Sequence, residues 1–213
     1  MTYSRANPST RYVQLISMYQ EMHLKGERFT GVPAHEIFDG RSLKSQIRRI
    51  KHLISRTGSA TVLDYGSGKG NQYDPMQLDI DGEGKWDGVL DYWGVDEVVC
   101  FDPAYAPYST RPREQFDGVV CTDVLEHCPE DDIPWIVDEL FSFARRFVFV
   151  TIACYPARKR LPNGENAHIT LRDADWWRAM FDQSAARHEG VTWEAWVQLT
   201  PPSKDTVETR LGN

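Results

Sequence analysis

Three carboxylates, three glycines and two histidines are spaced so that they could bind and act on a small molecule. Asp64 is followed by Gly66, Gly68 and Gly70 at every second position, in the run TVLDYGSGKG from Thr61 to Gly70. An apolar run that ends in an acid and then in glycines lets the main chain pass close to a ligand, because no Cβ stands in the way. A helix after such a turn points its free N–H groups and positive dipole end at that ligand. Asp102 closes a second apolar run, Val98-Val99-Cys100-Phe101, 38 positions after Asp64. A carboxylate at the end of a parallel strand can accept both hydroxyls of a ribose. Thr122 and Asp123 end a third run, FDGVVCTD from Phe116, and continue into Val124-Leu125-Glu126-His127; His168 follows in a later loop. An imidazole titrates near neutral pH, so a histidine here could take the proton of an attacking hydroxyl. A packed, ordered Glu126-His127 pair at a helix start is the alternative reading of those two residues.

These residues need strands to hold them. Val62 and Leu63, then Val98 to Phe101, then Phe116 to Cys121, and finally Phe147-Val148-Phe149-Val150-Thr151-Ile152 are short β-forming or continuous apolar runs of the kind buried in a parallel sheet. Between and around them the spacing predicts helices: Arg11 to His23 with Tyr12, Leu15, Ile16 and Tyr19 on one side; Arg41 to Arg56 with Leu43, Ile47, Ile50, Leu53 and Ile54; about Ile133 to Ala144; and a stretch holding Trp176, Trp177, Met180 and Phe181. Val191 to Leu199 alternates as a strand, and a last short antiparallel strand is expected around Val207.

The Thr61–Gly70 run resembles the first motif of class I S-adenosylmethionine-dependent methyltransferases: two hydrophobic residues, Asp, then three glycines at alternate positions. FDGVVCTDVLEH resembles closely the fourth-strand motif of the small-molecule members. Even glycine spacing separates the first motif from the dinucleotide fingerprint G-x-G-x-x-G, and Lys69 lacks the following Ser or Thr of a phosphate loop. The resemblance implies a doubly wound, mostly parallel Rossmann-like α/β sheet with helices on both faces. It implies that S-adenosyl-L-methionine binds at Asp64, Tyr65, Gly66, Gly68, Gly70, Asp102, Pro103, Thr122 and Asp123; beside it, the residue types themselves make His168, His127 and Asp123 the catalytic candidates. Methyl transfer from a sulfonium needs no metal, so no metal ligands are expected.

The family pattern is interrupted in two places. A polar insertion, roughly Asp74 to Asp96, lengthens the spacing to Asp102. After Asp102, PAYAPYSTRPREQ has too many prolines for a helix. A shortened or missing third strand is therefore expected, with Tyr105 or Tyr108 available to stack on the adenine. Asp102-Pro103-Ala104-Tyr105 also looks like the D-P-P-Y motif of methyltransferases acting on adenine in DNA. That motif belongs after a fourth strand, and only 38 residues separate it from Asp64.

Residues 1–58 are expected to form N-terminal helices, read either as a lid over the site or as a packing appendage, and residues 59–213 the cofactor-binding domain of one compact unit. A net charge of −7 argues against a protein that coats nucleic acid. The basic face of the second helix, Arg41, Lys44, Arg48, Arg49, Lys51 and Arg56, lacks interleaved aromatics and reads as a solvated surface. Arg158-Lys159-Arg160 reads either as a holder of an anionic acceptor or as a solubilising loop. Cys100, Cys121, Cys128 and Cys154 have no metal-ligand spacing and are expected as buried, reduced thiols. No apolar run approaches the about 18 residues of a membrane span, and no secretory core opens the chain, so a cytoplasmic protein is expected. The leading expectation is methyl transfer to a hydroxyl, amine or similar nucleophile of a small molecule. The alternatives are methylation of adenine in nucleic acid, and a partner subunit that binds the cofactor without turnover.

Overall fold

The apolar runs fold as strands, and the amphipathic runs pack on them as helices. The computed structural model describes residues 3–201 and 206–213, with the side chain of Arg41 outside that description. Helix α1 (Thr10–Lys25) begins at Ser9, whose Oγ accepts the Tyr12 N–H at 3.0 Å. It stops at Gly26, where φ is 81° and a Cβ would stand 2.3 Å from the Val32 carbonyl oxygen, so only glycine fits. Ser9 also donates its N–H at 3.0 Å and its hydroxyl to the carboxylate of Asp132, which is fully buried. Ser9→Ala should therefore cost roughly 1–2 kcal/mol of unfolding free energy, one cap and one bond to a buried acid. A urea titration checks this; a change under about 0.3 kcal/mol would mean the cap is dispensable.

The single helix expected over Arg41 to Arg56 is broken. The chain forms α2 (Arg41–Lys44) and α3 (Ile47–Thr57). Leu43, Ile47, Ile50, Leu53 and Ile54 are all buried, so the apolar face runs on across the break. At the junction Gln46 is itself buried, donating to Ser45 Oγ at 3.0 Å and accepting from Arg49 at 2.9 Å. Such local side-chain bonds compete with helix propagation. On the polar face Arg48 and Lys51 pair with Glu83 and Arg49 with Glu208, while Lys44 and Arg56 are exposed. That is a solvated, ion-paired surface.

Strand β1 (Thr61–Tyr65) leads into the glycine turn. The helix expected after that turn is only a single 3-10 turn, Asn71–Tyr73, too short to carry a useful dipole. Pro75 then breaks the chain direction, and the polar insertion folds as a hairpin, β2 (Leu78–Ile80) and β3 (Gly84–Trp86), followed by a short helix, α4 (Val89–Trp93). The remaining elements are β4 (Glu97–Phe101), β5 (Phe116–Thr122), α5 (Ile133–Phe143), β6 (Ala144–Ala153), α6 (Ala174–Ala185), β7 (Thr192–Gln198) and β8 (Glu208–Gly212).

The main sheet has the order β4-β1-β5-β6-β7-β8, with every pairing parallel except β7 with β8. This is the doubly wound, mostly parallel layout expected. The shortened sheet is also as expected: β4 is its edge, and the proline-rich stretch after it holds only the 3-10 turn Ala106–Tyr108. Successive strand residues face opposite layers. Leu63, Val119 and Val148 pack with Ile136, Leu140 and Phe141 of α5 and Trp177 of α6, while Val62, Val120 and Phe147 pack with Ile50, Leu53 and Trp93 of α3 and α4. All four cysteines are free, but only Cys121 is fully buried, against the expectation for the set. Among the described residues no helix is long and apolar enough to cross a membrane.

Candidate active site

Because β4, β1 and β5 are adjacent and parallel, their carboxyl ends bring Asp102, the glycine turn and Asp123 together. The Gly66 and Ser67 N–H groups donate to the Phe101 carbonyl at 2.7 and 3.3 Å, which ties the turn to the end of β4. Asp102 accepts the Gly68 N–H at 2.9 Å on one oxygen and the Ala104 N–H at 2.8 Å on the other. Each oxygen keeps a second lone pair for a ligand hydroxyl. Gly68 has φ of 59°, and a Cβ there would be 2.6 Å from the Phe38 carbonyl oxygen. The glycine therefore allows the 26–40 segment to lie directly on the turn, and the Lys69 N–H donates to that same carbonyl at 3.2 Å.

Asp64 works one layer deeper. It does not line the cavity; its Oδ2 accepts from Gln72 at 2.8 Å and from the Tyr73 hydroxyl at 2.9 Å, fixing the turn from beneath. Burial pushes the Asp64 carboxyl up to about 6, against the pull of these two donors. Burial likewise raises Asp102 to about 6, opposed chiefly by the Ala104 and Gly68 N–H groups. Gly70 and Thr122 do not reach the cavity wall either, whereas Tyr65, Gly66, Gly68, Asp102, Pro103 and Asp123 do. Ser67 Oγ and Gln72 Oε1 are buried without a hydrogen-bond partner among the described residues.

The cavity encloses about 120 Å³. Its roof is Tyr12, Leu15, Ile16, Tyr19 and His23 of α1, and Phe38, from the N-terminal segment read as a lid or a packing appendage but none of them singled out as a site residue. Their helical spacing showed only a buried face. The cluster of aromatic and histidine side chains on that face was the signal available. His23 stacks on Tyr105, centroids 4.8 Å apart at 27°, and burial followed by the Lys69 charge lowers its imidazole to about 4. Tyr108 packs edge-on against Tyr105. Residues 102–105 thus follow the edge strand β4, on the far side of β1 from β5.

At the other end, Asp123 turns the chain sharply after β5 with φ of 56°, a conformation few non-glycine residues adopt. Its N–H donates to the Thr151 carbonyl and to Thr151 Oγ1, both at 3.2 Å. Glu126 is completely buried; Oε1 accepts the Ala153 N–H at 2.8 Å and Oε2 has no partner among the described residues. Burial, and then the neighbouring Asp123, hold the Glu126 carboxyl well above the ordinary range. His127 Nδ1 lies 2.8 Å from the Ala167 carbonyl and 2.8 Å from the Tyr19 hydroxyl, and His168 Nδ1 lies 2.6 Å from the Tyr155 carbonyl. A ring nitrogen facing a carbonyl is the N–H, so each imidazole keeps its Nε2 lone pair. The rings meet at 4.8 Å and 73°. Burial and the His168 charge push His127 down to about 3, which makes it a feeble base, and burial lowers His168 too.

The basic triplet lies beyond the roof. Lys159 sits 5.3 Å from the Phe38 ring centre, Arg160 donates to the Gly164 carbonyl at 2.9 Å, and Arg158 is exposed.

Comparison with curated proteins and with solved structures returns no match. A methyltransferase-domain family model matches residues 38–196, a span that runs from Phe38 above the glycine turn through β1, β4, β5, β6 and most of β7. With both motifs at the carboxyl ends of adjacent parallel strands, and about three quarters of the chain matched, the protein belongs to the class I S-adenosylmethionine-dependent methyltransferases.

Proposed function

We propose that the protein uses S-adenosyl-L-methionine to methylate a small molecule carrying a hydroxyl, amine or similar nucleophile. The observation that carries this reading is Asp102, half-buried at the end of β4 and clamped between the Gly68 and Ala104 N–H groups with lone pairs left over for a ribose. The residues present fit such a cofactor. Carboxylates at Asp102 and Asp123 and the rings of Tyr12, Tyr19 and Tyr65 on the cavity wall suit a cationic ligand. When bound, the cofactor supplies a methyl group already activated on sulfur.

The chain's part is then to position, to exclude water and to orient the acceptor. Asp102 and the 66–70 turn hold the nucleoside end, and Asp123 and His127 form the acceptor end, with His168 packed against His127 and not on the cavity wall. The roofed cavity supports an acceptor of limited size over a nucleic-acid strand. At about 120 Å³ it is smaller than the roughly 300 Å³ at the low end of ligand pockets, so α1 and the 26–40 segment would act as a lid that yields as ligand enters. An anionic acceptor could meet Arg158, Lys159 and Arg160 at the rim.

Calorimetric titration with S-adenosylmethionine and with its demethylated product tests the reading. Micromolar binding of both, followed by cofactor consumption with at least one acceptor in a small-molecule screen, is expected. No binding would end the proposal. Binding without turnover on small molecules, but with turnover on an oligonucleotide, would move it to nucleic acid.

A further inference from the structure

Glu126, His127 and His168 are not explained by cofactor binding. Each offers one donor atom, and the three lie within 4.8 Å of one another. Glu126 sits just past the end of β5, fully buried, with Oε2 lacking any partner. Burying a carboxyl oxygen with nothing to bond is costly, and among the described residues no protein donor reaches it. The histidines lie 41 positions apart in the chain, yet both have Nδ1 set against backbone carbonyls, of Ala167 and Tyr155. That is how proteins fix the tautomer and ring angle of a metal-binding imidazole, leaving Nε2 for the ion. The backbone carbonyl of Glu126 accepts the Ile169 and Thr170 N–H groups at 2.9 and 3.0 Å, which pins the His168 segment beside Glu126.

We propose that Glu126, His127 and His168 bind a divalent first-row transition ion at the acceptor end of the cavity. Two imidazole nitrogens and one carboxylate oxygen form a three-ligand set that leaves positions open for an exogenous oxygen or nitrogen. Tetrahedral coordination needs donors about 3.4 Å apart, so the widest pair closes by shifts of about 0.7 Å each. Of the three, His127 lines the cavity, so the ion would sit in the wall beside it, with Glu126 and His168 behind. In the methyltransferase reading, on which this role rests, the ion would hold the acceptor's hydroxyl and lower its pKa. The acceptor's proton then leaves to solvent, and the histidines serve as ligands rather than as bases.

The test is titration of the cofactor-free protein with Co²⁺, followed by its visible absorption and by calorimetry, with Zn²⁺ as competitor. One Co²⁺ per chain, displaced by Zn²⁺, is expected, with at least about tenfold weaker binding in His168→Ala and in Glu126→Gln. Zn²⁺ should also raise the melting temperature of the wild type and not of His168→Ala. Absence of stoichiometric Co²⁺ binding by the wild type overturns the proposal without recourse to any variant. So does equal affinity in wild type and both variants, which would assign the ion to other surface histidines. S-adenosylmethionine binding, measured separately, stands or falls on its own, so failure of the ion site and failure of the methyltransferase reading are told apart.

Discussion

Replacing Asp102 with Ala should weaken S-adenosylmethionine binding by roughly 10- to 150-fold, the equivalent of about 1.5–3 kcal/mol for a charge-assisted contact. Two losses combine in this change. The ribose loses its acceptor, and the Gly68 and Ala104 N–H groups that Asp102 now accepts are left without a partner, so the turn that should cradle the cofactor relaxes. Asp102→Asn keeps one carbonyl oxygen and should fall between. Because burial raises the Asp102 carboxyl to about 6, the wild type should also bind more weakly as pH drops through 6, since the protonated acid no longer accepts at both oxygens. Calorimetry on the three proteins at pH 5.5 and 7.5 reads both effects. An unchanged dissociation constant in Asp102→Ala would remove this acid from the site.

Asp64→Asn should do the reverse of what a buried-acid substitution is usually expected to do, and stabilise the cofactor-free protein above pH 6. The folded carboxyl titrates at about 6 and an unfolded one near 4. Between those values the folded chain holds more protons than the unfolded one, so its unfolding free energy falls as pH rises through the window and is flat above it. The wild type thus carries a penalty at pH 7–8 of up to about 3 kcal/mol that Asn does not, while Asn still offers one oxygen to Gln72 and Tyr73. At pH 4 the two proteins should be alike. Glu139, Asp117 and Asp138 have lowered pKa values that act in the opposite sense, so the quantity to measure is variant minus wild type by urea titration at pH 4 and 7.5. Equal differences at both values would show that the Asp64 charge is compensated.

The sheet was legible because its central strands are buried on both faces and read as unbroken apolar runs, Phe147 to Ile152 most clearly. The residues at their ends followed from chain order alone. What periodicity could not show were interruptions that leave an apolar face intact. Leu43 and Ile47 stay in register across the break at Ser45 and Gln46, so the helix looked continuous. Nor did the glycine motif reveal that the turn after it stops at Tyr73, although Pro75 stands in the sequence as a barrier to a longer helix. The division of labour between Asp64 and Asp102 depends on which side of β1 each neighbour lies, a property of topology rather than spacing. The pairing of His127 with His168 was invisible for the same reason: two loops meet there only because β5 and β6 are adjacent.

The roof of the cavity has its own consequence for the order in which the chain can acquire its form. α1 precedes the sheet in the chain, yet several of the bonds that fasten its segment come from much later residues. Ser9 is held by Asp132, Arg5 by Glu139, and Tyr19 by His127 and the Ala167 carbonyl. These contacts span 108 to 148 residues, and such long closures are entropically expensive until the intervening sheet has brought their ends together. The part of α1 that meets these late partners therefore stays uncovered until β5 and α5 have paired. A helix that precedes the sheet is fully placed only after it, and a ligand that grips the finished cavity would act late, on a sheet already formed.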